Sequence, residues 1–211
     1  MAYALVWGAS GGIGRAIVTA LRERDMTVLA VARNTRELDA AGVETYHADL
    51  ARDADVAAAA LWAAQHSAGE VAAWVYAAGD MYGGALADTS QADWQRLMAA
   101  NVGGAHSAVS HSLALVPGGG HLIFVGAYVD KIMLPKLGAY AAGKAALDAY
   151  VTVLGKELRD RKVTNIRVGA VDTPLWDKAP FKLPRGAHPA SVVAAAVVRA
   201  LDEGIKGQLD L

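Results

Sequence analysis

The segment that decides the fold is residues 3–14, which read YALVWGASGGIG. Its first five residues, Tyr3–Trp7, are an apolar run with the length and composition of a buried strand. Glycines follow at positions 8, 12 and 14, and helical spacing of apolar residues starts at Ile13. A strand that enters a helix through a glycine-rich turn predicts the first half of a β-α-β unit.

The same alternation of strand and helix continues along the chain. Short apolar runs predict further strands at Thr27–Val31, Val43–Tyr46, Val71–Tyr76, His121–Val125, Asn165–Val168 and Gly207–Leu211. Alanine-rich segments between them predict helices at Ile13–Arg24, Ala54–His66, Gln91–Leu115, Leu137–Arg161 and Ser191–Leu201. Strands that are apolar throughout and separated by helices require a parallel sheet covered on both faces. We therefore predict one α/β domain over residues 1–211, with a doubly wound parallel sheet.

The composition excludes several classes of function. The 211 residues carry 20 Lys and Arg against 21 Asp and Glu, so no basic field is available to hold nucleic acid. Cysteine is absent, which removes disulfides and thiolate chemistry. The six histidines show no spacing that would place two on one helical face, so no metal site is expected.

The sequence does not predict a membrane protein. No basic leader precedes the first strand, so no signal peptide is expected and we place the protein in the cytoplasm. The longest uncharged stretch, residues 102–129, contains histidines, serines, Pro117 and three consecutive glycines, which indicates two elements joined by a turn.

The glycine turn has the features that a diphosphate needs. Glycines allow a tight turn and close backbone approach, and the following helix presents free N–H groups at its N-terminus. An ordinary strand-to-helix turn remains the alternative. The candidate cofactor contacts in this turn are Gly8, Ser10, Gly12, Ile13 and Gly14.

Five motifs in order resemble those of the short-chain dehydrogenase/reductase family. They are the glycine turn, Ala77-Ala78-Gly79, Asn101-Val102-Gly103-Gly104, Tyr140-Ala141-Ala142-Gly143-Lys144 and Gly169-Ala170-Val171-Asp172-Thr173-Pro174. The resemblance spans essentially the whole chain and implies a Rossmann-type oxidoreductase with a nicotinamide cofactor and a small-molecule substrate. The chain is too short for the added substrate domain of the larger epimerase-type relatives. By resemblance, Asp49, Leu50, Ala78, Gly79 and Thr173 are further cofactor contacts.

The end of the second predicted strand indicates which cofactor is preferred. A carboxylate there would accept from a ribose 2′-hydroxyl, whereas arginine would pair with a 2′-phosphate. The strand is followed by Arg33, with no acidic residue at the expected place, and Arg15 offers a second positive charge. We therefore expect NADP(H) to be preferred over NAD(H), the alternative being that Arg33 is only a solvated loop residue.

Tyr140 and Lys144 are four residues apart on a predicted helix, so their side chains share one face. A phenol needs its pKa lowered by about three units, or roughly 4 kcal/mol, to act as a base at neutral pH. The resemblance assigns proton transfer to Tyr140, tuning of that group and ribose binding to Lys144, and anchoring of a relay water to Asn101. The alternative is an exposed aromatic with a solvated lysine neighbour.

One family element is missing. The family has a serine thirteen residues before the tyrosine, and here that position is Ala127. Loss of one such donor costs about 10²–10³ in rate, so the alternative to an enzyme is a cofactor-binding sensor or structural protein. Tyr128 could supply a donor only if the loop turned it inward. Val168 also stands where the family commonly has proline.

Apolar residues near the predicted site suggest a small or apolar carbonyl substrate. They are Met81, Tyr82, Met133 and Leu134, with Trp176, Phe181 and Leu183 in the short lid segment from Leu175 to His188. The small residues Ala141, Ala145, Ala146 and Ala149 would let another helix approach the catalytic helix closely. We expect a homodimer or homotetramer on this basis.

Overall fold

The structure, a computed structural model, describes residues 2–211. Its strands are β1 Tyr3–Trp7, β2 Thr27–Ala32, β3 Glu44–His47, β4 Ala73–Tyr76, β5 His121–Ala127, β6 Lys162–Val168, β7 Val171–Asp172, β8 His188–Pro189 and β9 Gly207–Asp210. Its α-helices are α1 Gly12–Arg22, α2 Arg36–Ala40, α3 Asp53–His66, α4 Gln91–Met98, α5 Gly104–Ser112, α6 Val129–Ile132, α7 Gly138–Glu157 and α8 Ala190–Glu203.

Seven strands form one parallel sheet in the order β3-β2-β1-β4-β5-β6-β9, and β7 pairs with β8 in a separate two-stranded sheet. The chain builds outward from β1 in one direction through β2 and β3, and in the other through β4, β5 and β6. This reversal opens a crevice at the carboxyl ends of β1 and β4, the place where open α/β sheets bind ligands. The predicted single-domain doubly wound fold is confirmed.

Alternate residues of the strands face two separate cores. Val6 belongs to the core beneath α1 and α8, which contribute Ile17 and Val197. Leu5 and Trp7 face the opposite core, beneath α3, α5 and α7. Residues next to each other on a strand point to opposite faces, so the apolar run in β1 can supply both cores.

The helix expected over Gln91–Leu115 is interrupted. After α4, residues Ala99–Gly103 form a π-turn, and α5 then continues from Gly104. Gly104 packs where a Cβ atom would lie 2.7 Å from the Tyr76 hydroxyl oxygen, so the helix passes very close to β4. Single π-turns inside helices are frequent at functional sites, and this one contains Asn101.

Other differences concern the ends of elements. The helix expected to reach Arg161 ends at Glu157, because Leu158 leaves the helical conformation with ψ 70°. Strand β6 starts at Lys162 rather than at Asn165. The short helix α2 was not predicted. In the described part of the chain, no helix has the length and apolar character needed to cross a membrane.

Candidate active site

The glycine turn is packed so tightly that side chains are excluded from it. Gly8 has φ +81°, and a Cβ atom there would lie 2.5 Å from the backbone nitrogen of Ala78. A Cβ at Gly12 would lie 2.7 Å from Thr173 Cγ2, and one at Gly14 would overlap the carbonyl oxygen of Gly8. The turn is therefore packed against the segments of Ala78 and Thr173, two residues that are also predicted to contact the cofactor.

Two adjoining cavities form a groove along this turn. The outer cavity, of about 310 Å³, is lined by Gly8, Ser10, Arg33, Asp49, Leu50, Ala78, Gly79 and others. The central cavity, of about 290 Å³, is lined by Ser10, Gly12, Ile13, Arg33, Ala78, Gly79, Tyr140, Lys144 and Thr173 among others. Because the two share Ser10, Arg33, Ala78 and Gly79, the groove is continuous. Of the site residues predicted from the sequence, Gly14 and Asn101 lie buried behind it.

Asp49 lies between the outer cavity and the turn that leads into α3. It lines the outer cavity, and its Oδ1 accepts a hydrogen bond of 3.1 Å from the backbone N–H of Ala51, in the turn that leads into α3.

The two arginines near the turn differ in their surroundings. Arg33 follows β2, is exposed, and lines both cavities of the groove. Within residues 2–211 it forms no salt bridge. Arg15, which also lines the central cavity, pairs with Glu37 of α2. Of the two positive charges expected here, that of Arg15 is thus already matched by a carboxylate.

Helix α7 brings Tyr140 and Lys144 into the central cavity, as their spacing predicts. Lys144 Nζ donates a hydrogen bond of 3.1 Å to the carbonyl oxygen of Val125, two residues before the end of β5. Both side chains are buried, with exposed fractions of 8% for Tyr140 and 5% for Lys144. The alternative of an exposed aromatic with a solvated lysine is therefore wrong.

Asn101 and Lys144 both lie beside Gly79. Its Nδ2 donates to the carbonyl oxygens of Asp80, at 2.7 Å, and Leu97, at 3.0 Å. A Cβ atom at Gly79 would lie 3.1 Å from Asn101 Oδ1 and 3.5 Å from Lys144 Nζ. Asn101 Oδ1 is buried and has no hydrogen-bond partner in the described chain. A buried acceptor of this kind calls for a water or ligand atom.

Burial shifts the pKa values of Tyr140 and Lys144 in opposite directions. It raises the pKa of Tyr140 to about 12, because the phenolate loses hydration. It lowers the pKa of Lys144 to about 8, because the ammonium loses hydration. At neutral pH the scaffold therefore holds a neutral phenol and a lysine that is still largely charged.

A third space, the apolar cavity of about 400 Å³, adjoins the groove at Tyr140. Its lining includes Ile13, Met81, Ala127, Leu134, Leu137, Val168, Thr173, Leu175, Trp176 and Phe181. Tyr140, Ile13, Val168, Thr173 and Leu175 also line the central cavity, so the two spaces meet there. Tyr82, Met133 and Leu183, also expected near the substrate, are not part of the lining, and Met133 and Leu183 are exposed.

The position thirteen residues before Tyr140 lies in the apolar cavity. Ala127 ends β5 and lines the apolar cavity. Tyr128 is instead engaged by cations, with Lys131 Nζ 4.2 Å and Arg167 Cζ 5.4 Å from its ring centroid. Tyr128 is not one of the residues lining this cavity.

Sequence reasoning missed a charged cluster in the groove. Asp80, whose side chain is only 6% exposed, pairs with Arg96 of α4 and with Lys178 of the 3-10 turn Pro174–Lys178. Its position directly after the Ala77-Ala78-Gly79 motif was the available signal, but its partners lie 16 and 98 residues away.

Comparison with known proteins assigns the family. The family model for short chain dehydrogenase matches residues 2–182. The chain belongs to the short-chain dehydrogenase family. It is 31% identical over 210 residues to an uncharacterised oxidoreductase of Staphylococcus epidermidis, a match that covers 95% of this chain and 90% of that protein.

Solved structures agree with the assignment to the short-chain dehydrogenases. An alcohol dehydrogenase of the archaeon Thermococcus sibiricus, complexed with 5-hydroxy-NADP, superposes with a TM-score of 0.90 at 26% identity, covering 100% of this chain and 96% of that one. A short-chain dehydrogenase/reductase of Serratia marcescens shares the fold with a TM-score of 0.88 at 24% identity and the same coverage. The chain is thus an oxidoreductase of the short-chain dehydrogenase type.

The family implies a nicotinamide cofactor, and the groove fits a dinucleotide. The glycine turn leaves a cradle that Cβ atoms would fill, and α1 begins at its end, with N–H groups available for a diphosphate. At the other end of the groove, Asn101 Oδ1 supplies a buried acceptor without a partner among residues 2–211.

Proposed function

We propose that this short-chain dehydrogenase reduces a small or apolar carbonyl compound with NADPH as the cofactor. The observation that carries the proposal is the position of Tyr140, at the junction between the groove that fits a dinucleotide and the apolar cavity. A group at such a junction can reach both molecules of a bimolecular reaction. Its neutral phenol at physiological pH suits proton donation to a carbonyl oxygen.

Different residues along the groove bind different parts of the cofactor and carry out proton transfer. Gly8, Gly12 and Gly14 shape the turn that holds the diphosphate, with Ser10, Ile13, Ala78, Gly79 and Thr173 around it. Asp49 and Leu50 lie at the end that takes the adenine. When bound, the nicotinamide supplies the hydride. Tyr140 donates the proton to the substrate oxygen, and the charge on Lys144 stabilises the phenolate that remains.

Asn101 is proposed to bind a water molecule, and the proton that Tyr140 has donated is replaced from solvent through this water. Its Nδ2 is fixed by two carbonyl oxygens, so the orientation of the amide is set. Its unpartnered Oδ1 then points to a site beside Gly79, on the same side as Lys144 Nζ. A water held there would link the buried lysine to solvent.

The preference for NADP(H) rests on Arg33. This arginine lines the outer cavity beyond β2 without a carboxylate partner in the described chain, so it can pair with a 2′-phosphate. The Thermococcus sibiricus alcohol dehydrogenase bound to an NADP derivative supports the same cofactor class. Arg15 contributes less, because Glu37 already pairs with it.

Calorimetric titration with NADPH and NADH tests the cofactor. We expect NADPH to bind at least tenfold more tightly, and Arg33→Asp to remove that preference. The control is Arg159→Asp, which makes the same charge change at an exposed residue two positions after the end of α7. Equal affinities for the two cofactors in the unaltered protein, or an unchanged preference in Arg33→Asp, would contradict the assignment.

Tyr140→Phe tests the chemistry. The ring remains and only the hydroxyl is lost, so NADPH should bind nearly as before while reduction of ketones, aldehydes and quinones is abolished. Turnover that survives in Tyr140→Phe would show that another group is the acid. If the unaltered protein binds NADPH tightly and reduces none of these carbonyl compounds, a cofactor-binding sensor becomes the better assignment.

The chain is also proposed to form a homodimer or homotetramer. Of the small residues expected to meet a second helix, Ala146 and Ala149 are exposed in the single chain, whereas Ala145 is half-buried and Ala141 is buried. Val153, on the same helix, is also exposed. Light scattering of the purified protein measures the mass directly. A monomer at micromolar concentration would contradict this expectation.

A further inference from the structure

The charged cluster at Asp80 spans the groove that is proposed to bind the dinucleotide. Asp80 follows β4 and lines both the outer and the central cavity. Lys178, at the end of the turn that follows β7, lines the central cavity, and its Nζ lies 2.5 Å from Asp80 Oδ1. The ion pair therefore joins the lid segment to the opposite side of the groove.

Positive charge exceeds negative charge in this part of the groove. Arg96 pairs with the second oxygen of Asp80, and Arg33 lines the same two cavities. Burial lowers the pKa of Lys178, and the charges of Arg96 and Arg33 lower it further, which means that both arginines are close enough to repel the ammonium. Among the residues that line the central cavity, Asp80 is the one carboxylate, and the cations are Arg15, Arg33, Lys144 and Lys178. This cavity is therefore electrostatically suited to an anion.

Asp80 can release Lys178 without becoming a buried unpaired charge. Its Oδ2 remains with Arg96, and its Oδ1 accepts a hydrogen bond of 2.9 Å from the N–H of Met81. Arg96 is tied a second time, to Asp93 at 3.1 Å on its own helix. Among residues 2–211, Lys178 is held only by Asp80, and its side chain is 51% exposed. Of the two cations on Asp80, Lys178 is the one free to turn.

We propose that Lys178 is a ligand of the cofactor diphosphate. Its ammonium pairs with Asp80 in the free protein and pairs with the diphosphate when the dinucleotide binds. The inference rests on the proposed function of the groove. It assigns Lys178 to binding of the diphosphate, separately from Arg33, which is assigned to the 2′-phosphate. Asp80 then acts as a positioning residue that competes with the ligand for the same ammonium.

The test measures equilibrium binding of NADPH, NADH and ADP-ribose by calorimetry. ADP-ribose retains the diphosphate but lacks both the nicotinamide and the 2′-phosphate. Lys178→Met should weaken all three by a similar factor, about tenfold, whereas Arg33→Asp should weaken NADPH selectively. Lys182→Met is the matched control, since this lysine lies in the same segment, is exposed and lines neither cavity of the groove.

Asp80→Asn distinguishes a lysine that binds the diphosphate from a clasp, meaning a lysine whose ion pair with Asp80 only holds the lid segment in place. With the competing carboxylate removed, ADP-ribose should bind several-fold more tightly, and Lys178→Met should cost more affinity in the Asp80→Asn background than in the unaltered chain. If Lys178→Met leaves ADP-ribose affinity unchanged or improves it, Lys178 is only a clasp and the inference is overturned. If the unaltered chain binds none of the three probes, it is the proposed function that fails.

Discussion

Replacing Lys144 by methionine should inactivate the protein and also make it more stable. Lys144 is buried in α7, and burial lowers its pKa from 10.5 to about 8. A shift of that size corresponds to a cost of roughly 3 kcal/mol at neutral pH, where the lysine is charged in both folded and unfolded states. The lost hydrogen bond to the Val125 carbonyl offsets about 1 kcal/mol of this. The variant should therefore gain about 2 kcal/mol in unfolding free energy.

The dependence on pH gives this prediction a second readout. Because the folded pKa is below the unfolded one, the unfolded state binds more protons between pH 8 and about 10.5. The penalty is full below pH 8 and disappears as the pH rises through that window. The stability advantage of Lys144→Met should thus be largest at pH 7 and shrink toward pH 10.

Urea unfolding at pH 7, 9 and 10, followed by circular dichroism, measures both effects. Lys156→Met is the control, because that lysine lies on the exposed face of the last turn of α7. Its unfolding free energy should change by less than about 0.5 kcal/mol. A Lys144→Met variant that is less stable than the unaltered chain at pH 7, or a difference that does not vary with pH, would refute the reasoning.

Two further substitutions test the scaffold and the position of Ala127. Burial lowers the pKa of His121 to about 4, so protonation in the unfolded state should remove up to roughly 3 kcal/mol of stability as the pH falls from 6.5 toward 4. In urea unfolding, His121→Gln should lose less stability than the unaltered chain over that pH range. Equal losses in the two proteins would contradict this prediction. Ala127→Ser adds a hydroxyl to the apolar cavity that Tyr140 also lines, and it should raise turnover of carbonyl substrates by about tenfold or more. Flat or lower turnover would mean that another group already stabilises the oxygen.

The fold could be predicted because its strands are apolar throughout, and hydropathy alone finds such strands. The same signal failed at the start of β6, where Thr164 is polar yet fully buried. Its hydroxyl bonds His121 at 2.7 Å and the carbonyl oxygen of Ile205 at 2.5 Å. A polar residue whose partners lie far away in sequence appears exposed in any local pattern, so the strand was predicted to begin three residues late.

The site was predictable where spacing along one element places two groups together. Tyr140 and Lys144 share a face of α7 because they are four residues apart. The charges around the groove were not predictable in this way. The partner of Arg15 lies on α2, a helix that the sequence did not predict, and the partner of Lys178 is 98 residues away. Such pairs depend on how loops run after the strands end.

The polar groups at the centre of the groove are difficult to explain by folding alone. Lys144 keeps an ammonium among buried residues, Asn101 leaves an acceptor unpartnered within the described chain, and Asp80 keeps a carboxylate almost fully buried. Each costs stability that an apolar side chain of similar size would not. All three meet around Gly79, where a single added methyl group would contact both Asn101 and Lys144. A set of individually unfavourable groups that converges on one glycine is expected of a site shaped by the molecules it must bind.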